Sequence, residues 1–112
     1  MPVRHSNLPP VLYIAGPYSA PNSWLRECNV RRAEALALAL TAAGFACVCV
    51  HTSSRYAHGC APEEVFVRAD MALVRRSDVV VTSWGSERST GTRDEARMAG
   101  ELGMRELSMH IL

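Results

Sequence analysis

Val11-Leu12-Tyr13-Ile14-Ala15-Gly16-Pro17 is five apolar residues stopped by a Gly-Pro pair. A run this short, apolar at every position and ended by a turn dipeptide, reads as a strand buried on both faces. Such strands belong to parallel sheets covered by helices, so the stretch points to α/β architecture. Outward from it the chain keeps that rhythm. Pro21, Asn22 and Ser23 supply helix-start chemistry, and the alanine- and leucine-rich stretch from Trp24 to Ala43 makes about five helical turns before Gly44 stops it. Phe45 to Val50 is a second wholly apolar run and a second strand. His51 to Ala61 is polar and irregular, long enough to suggest a binding loop, and Pro62 opens a helix that continues to about Arg76.

Asp78 to Ser83 predicts the third strand, followed by a glycine- and serine-rich loop from Trp84 to Gly91 and a helix from about Thr92 to Leu102. Gly103 caps that helix, and Glu106 to Leu112 can form a last strand. Strands alternating with helices predict β-α-β-α-β-α-β with right-handed crossovers: a three-layer, Rossmann- or flavodoxin-like fold with a parallel four-stranded sheet in the order 2-1-3-4. Ligands of such sheets bind beyond the carboxyl ends of the strands, which here groups the loops after Ala15, Val50 and Ser83 around one crevice.

With 112 residues, 48% of them hydrophobic, the chain suits a single domain over residues 11–112 behind a polar, flexible tail at 1–10. A net charge of +1 gives no basic stripe for a nucleic acid polymer or an anionic membrane. All 12 cationic residues are arginine, which excludes a lysine Schiff base or a P-loop lysine. No apolar run approaches the ~20 residues of a membrane helix, and the N-terminus lacks a signal-peptide core, so a cytoplasmic protein is expected. The cysteines Cys28, Cys47, Cys49 and Cys60 then remain thiols. Cys47, Cys49, His51, His58 and Cys60 are close enough in sequence to raise zinc. However, C-x-C within an apolar run reads better as two thiols on the same strand face, and no metal or other cofactor is expected. The alanine-rich helices suggest further burial against a second copy, in a homodimer or larger assembly.

Two acids stand out by their helical positions. Glu95, Met98, Ala99 and Leu102 fall at i, i+3, i+4 and i+7, which turns Glu95 toward the sheet in the first turn of its helix, while Asp94 shares the outer side with Arg97 and Glu101. A carboxylate there is placed as a nucleophile or base and is kept ionised by the helix N-terminus. The same residues, Thr92-Arg93-Asp94-Glu95, also read as a capping box, in which the glutamate only satisfies a backbone N–H. The small residues around Ser89, Gly91 and Thr92 fit an anion pocket before a helix.

In the preceding helix Phe66, Asp70 and Leu73 share a stripe, with Val65, Ala69 and Ala72 beside it, so Asp70 is an acid within an apolar face. Burial would raise its pKa and suit it to donate a proton; a buried hydrogen-bonding acid is the plainer alternative. Asp78 reads as structural, capping the turn after Ser77. Tyr13 lies inside the first strand, where tyrosine is commonly core. Gly16, Pro17, Tyr18 and Ser19 form the following loop and are placed to meet ligand; the aromatic Trp84 and Tyr56 can stack on a ring, with a cover over the core edge as the plainer alternative. His51, at a strand's end, is a candidate proton carrier, with a satisfied or exposed histidine as the plainer alternative.

Taken together, Y-I-A-G-P-Y-S at Tyr13 to Ser19, D-x7-D at Asp70 and Asp78, and S-T-G-T-R-D-E at Ser89 to Glu95 followed by A-x-x-A resemble the nucleoside 2-deoxyribosyltransferase family and its relatives that hydrolyse nucleoside 5'-monophosphates. The resemblance spans Val11 to about Leu107. It implies that Glu95 attacks the anomeric carbon, that Asp70 handles the proton of the departing base, and that Tyr13 orients the nucleophile. Ser89, six residues before the glutamate, is what the monophosphate hydrolases carry for phosphate. Those hydrolases also have an arginine in the loop after the first strand, where this chain has Ser19, so Arg55, Arg88 or Arg93 would have to supply that charge. The resemblance thus implies a small-molecule nucleoside or nucleotide substrate, with hydrolysis and 2'-deoxyribosyl transfer both open. Two other readings remain. T-G-T-R-D-E echoes the cytokinin-activating type of phosphoribohydrolase, although the preceding P-G-G is missing, and a nucleotide-binding or sensing module could keep the fold without turnover.

Overall fold

The computed structural model describes residues 7–55, 57 and 59–82, and the backbone of 105–108. Within these, strands β1 (Val11–Ala15), β2 (Ala46–Val48) and β3 (Val79–Thr82) form a parallel sheet in the order β2-β1-β3. The helices are α1 (Ser23–Ala42), the single turn α2 (Val50–Ser53) and α3 (Glu63–Arg75). The architecture is α/β, as the apolar strands predict. Among the described residues no helix is long and apolar enough to cross a membrane.

The central strand β1 sets the two faces of the sheet by alternation. Leu12 and Ile14 pack with Val81 against Ala33, Leu36, Ala37 and Leu40 of α1, with Cys47, Cys49 and Val79 at the margin. The two thiols therefore share the α1 face, as the C-x-C spacing predicts. Tyr13 and Ala15 point to the opposite face, where they meet Val80, Val74 of α3, and the flanking Val48 and Val50. The register agrees, since Tyr13 stands opposite Val48 on one side and Val80 on the other.

Helix α1 begins where the sequence places its start signals. The Asn22 side chain accepts a hydrogen bond from the Leu25 N–H at 2.9 Å, satisfying one of the orphan donors of the first turn. At the other end Gly44 takes φ +105°, which lets its N–H reach Thr41 O at 3.0 Å and the Phe45 N–H reach Leu40 O at 3.1 Å. That is a Schellman closure, which needs a residue without a Cβ penalty at Gly44.

Three details differ from the sequence expectation. The second strand ends at Val48, and Val50, expected to be its last residue, instead opens α2. On α3 the buried residue is Val74 at 0% exposure, whereas Leu73 is exposed, so the inward row is Phe66, Asp70 and Val74 at i, i+4 and i+8. The helix is turned so that Val74 meets Tyr13, Ala15 and Val80, which leaves Val65 and Ala69 exposed. Asp78, expected to be structural as a cap on the turn after Ser77, ties two strands together. Its Oδ2 accepts from the Val11 N–H at 2.7 Å while its own N–H donates to Val11 O at 2.8 Å, fixing the start of the β1–β3 pairing.

Candidate functional site

The loop Gly16–Ala20 leaves the carboxyl end of β1, at the edge of the sheet where α/β proteins bind ligands. His51 of α2 reaches it from the neighbouring strand's end. The ring is 4% exposed, and its Nε2 lies 3.1 Å from the carbonyl oxygens of both Gly16 and Pro17. A nitrogen facing two acceptors carries the proton, so the neutral ring is the Nε2–H tautomer. Nδ1 is then a bare acceptor, buried and without a partner among the described residues. Burial lowers the His51 pKa, and the Pro17 and Gly16 carbonyls only partly oppose it. The ring is therefore neutral near pH 7, and it faces the protein's own backbone.

Tyr18 sits between His51 and α1. Its ring meets His51 edge-on at 6.0 Å and 63°, and the Arg26 guanidinium lies over it, 5.9 Å from its centroid. Asn29 of α1 donates from Nδ2 to Tyr18 O at 3.1 Å and to Ser19 O at 3.5 Å. Asn29 and Arg26 were not singled out from sequence. The available signal was a poor helix former inside an alanine- and leucine-rich helix, which a capping role at Asn22 leaves unexplained.

Along α1, and reaching Tyr18 of the loop, is a cavity of about 240 Å³ lined by Tyr18, Ser23, Arg26, Glu27, Val30, Arg31 and Arg55. Arg55 pairs with Glu27 and lies 3.5 Å from Glu34, and Arg31 adds a contact to Glu27 at 3.2 Å. The hydrogen bond from Arg55 holds the Glu27 carboxyl below its usual range, with Arg31 assisting and burial opposing. Arg55, one of the arginines considered as a phosphate partner, is thus engaged by two glutamates. Arg26 Nε is buried without a hydrogen-bond partner among the described residues.

The two expected catalytic residues that the structure describes lie on the other face of the sheet. Tyr13 is fully buried in the cluster that contains Val74. Asp70 precedes Val74 by one helical turn. Because a crossover helix between parallel strands runs back against them, that turn lies nearer the carboxyl edge of the sheet. Asp70 is half-buried, and burial raises its pKa from 3.8 to about 6. A carboxyl in this condition keeps a larger protonated fraction at neutral pH than a free one does, and that fraction can give its proton to a departing group.

Among the described residues no group of three His, Cys, Asp or Glu side chains gathers as metal ligands would. Glu95, Ser89, Gly91, Thr92 and Trp84 lie outside the described residues, as do Tyr56, His58, Arg88, Arg93 and Asp94. No protein-family model matches the chain, and no curated protein matches it by sequence.

Proposed function

We propose that this chain cleaves the N-glycosidic bond of a nucleoside or nucleoside 5'-monophosphate, by the chemistry of the nucleoside 2-deoxyribosyltransferase family that its motifs resemble. The observation that carries the reading is Asp70: an acid one turn above Val74, on the face of the sheet that holds Tyr13, with its pKa raised to about 6 by burial. A raised carboxyl at the edge where α/β folds bind ligand suits the protonation of a leaving base.

In this mechanism the ionised Glu95 carboxylate attacks C1' of the sugar, and the bond from C1' to the base nitrogen breaks through an oxocarbenium-like transition state. Asp70 gives its proton to the departing base. Water then attacks C1' of the glycosyl ester, Asp70 takes up the proton, and Glu95 is freed; a second base in place of water gives transfer. Two carboxyl groups in different environments divide the work, one ionised and one protonated. Tyr13 orients Glu95, and the Gly16–Ser19 loop with Ser89, Gly91, Thr92 and Trp84 binds the rest of the substrate.

The same reading extends the sheet to four strands in the order 2-1-3-4, supported by the parallel register of Arg105–Ser108 against Val79–Thr82, and takes the protein as a homo-oligomer. A mass-spectrometric screen of ribo- and deoxyribonucleosides and their 5'-monophosphates, with and without a free acceptor base, tests it. Release of free base supports hydrolysis, and exchange only with added base supports transfer. Intact substrate throughout, in a protein that the substrates still protect against heat, would favour a binding module without turnover.

A further inference from the structure

Two side chains from different elements hold the same short stretch of backbone. His51 Nε2–H faces the carbonyls of Gly16 and Pro17, and Asn29 Nδ2 faces those of Tyr18 and Ser19, all within 3.5 Å. Four consecutive carbonyls are thus directed at side-chain donors, two at each. All described peptide bonds are trans. In a planar trans peptide the C=O of one residue and the N–H of the next point in opposite directions. The Tyr18 N–H therefore points away from His51, and the N–H groups of Ser19 and Ala20 point away from Asn29. No backbone carbonyl of a described residue accepts from any of the three. Ser19 is exposed, and Tyr18 and Ala20 are partly exposed.

We propose that His51 and Asn29 are positioning residues that hold the 16–19 backbone with its carbonyls inward, so that the N–H groups of Tyr18, Ser19 and Ala20 receive acceptor oxygens of the substrate. Backbone N–H groups left without a backbone partner in this way favour an oxygen-rich, anionic or hydroxylated ligand. The arrangement gives His51 a task other than carrying protons. Its single N–H is committed to two carbonyls, and its neutral state is what allows the ring to be buried there. Tyr18 also has its ring in contact with the His51 ring and beneath the Arg26 guanidinium. The identity of the ligand rests on the glycosidase reading, whereas the clamp itself does not.

The test uses the full chain, labelled with ¹⁵N, as wild type and as H51A, H51Q, N29A and N29D. Each is titrated with 2'-deoxynucleoside 5'-monophosphates while the amide signals of Tyr18, Ser19 and Ala20 are followed. In the wild type these three signals move on binding. In H51A and N29D they start from altered positions, and half-saturation requires about tenfold more nucleotide, the scale of one lost hydrogen bond. H51Q, which returns a donor at similar reach, restores binding to within about threefold. In turnover assays KM rises more than kcat falls. Asn29 is at a half-exposed helix position, so N29A and N29D carry the test even where a His51 variant unfolds. A nucleotide that is turned over, or that protects the protein against heat, without moving these wild-type amides would overturn the proposal, as would H51A and N29D binding like wild type. A wild type that binds through these amides yet releases no base supports the clamp and refutes the glycosidase reading.

Discussion

Asp70→Asn should stabilise this protein at neutral and alkaline pH, although asparagine fills the same space. The Asp70 carboxyl has its pKa raised from 3.8 to about 6 by burial. The native state therefore favours the protonated form more than the unfolded chain does. Below 3.8 the side chain is neutral in both states and costs nothing; between 3.8 and about 6 the unfolded chain ionises first and native stability declines; above 6 the cost is constant. Moving the pKa from 3.8 to about 6 corresponds to about 3 kcal/mol, and solvent screening at this half-buried site reduces it to ~1.5 kcal/mol. Asparagine, always neutral, avoids that cost. Urea unfolding of wild type and D70N between pH 4 and pH 8 should show an advantage for D70N that grows to ~1.5 kcal/mol by pH 7 and then stays flat. Equal stabilities at every pH, or D70N less stable at pH 8, would refute the claim that burial raises the pKa of this carboxyl. The same variant should lose base release from natural nucleosides while retaining it for substrates with a good leaving group, which need no proton.

Val74→Ala removes two methyl groups from a side chain that is 0% exposed between Tyr13, Ala15 and Val80, and should cost about 2 kcal/mol in urea unfolding with an unchanged m-value. Leu73→Ala, one residue away on an exposed position, should cost well under half of that, which checks the rotation of α3 directly. Gly44→Ala meets no atom within 4 Å, so its cost is that of the backbone at φ +105° alone, about 1 to 2 kcal/mol, with activity unaffected.

The elements whose sequence signals act through local chemistry were legible. Val11–Ala15 is apolar throughout and is the central strand; Asn22 and Gly44 carry the capping groups of α1 and close it at both ends. What sequence pattern missed depends on how elements meet. Val50 continues an apolar run, so pattern assigned it to β2, yet the chain turns there into α2 and delivers His51 to the loop after β1. Phe66-Asp70-Leu73 and Phe66-Asp70-Val74 are both acceptable helical stripes, and only packing against Tyr13 and Val80 selects the second. Asp70 falls on both stripes, which is why its partial burial could be read early. The partners of His51 and Asn29 lie 35 and 11 residues away in the chain, beyond the reach of any periodicity.

The claim on which the functional account turns is covalent attack by Glu95. Incubation with a 2'-deoxy-2'-fluoro nucleoside or its 5'-monophosphate slows the oxocarbenium-like steps and allows a glycosyl-enzyme to accumulate, which peptide mapping by mass spectrometry can locate. The account predicts one fluoroglycosyl adduct on the peptide containing Glu95, absent from E95Q, with free base released in equal amount. Base release without an adduct, an adduct on another carboxylate, or a folded E95Q that turns over like wild type would contradict it.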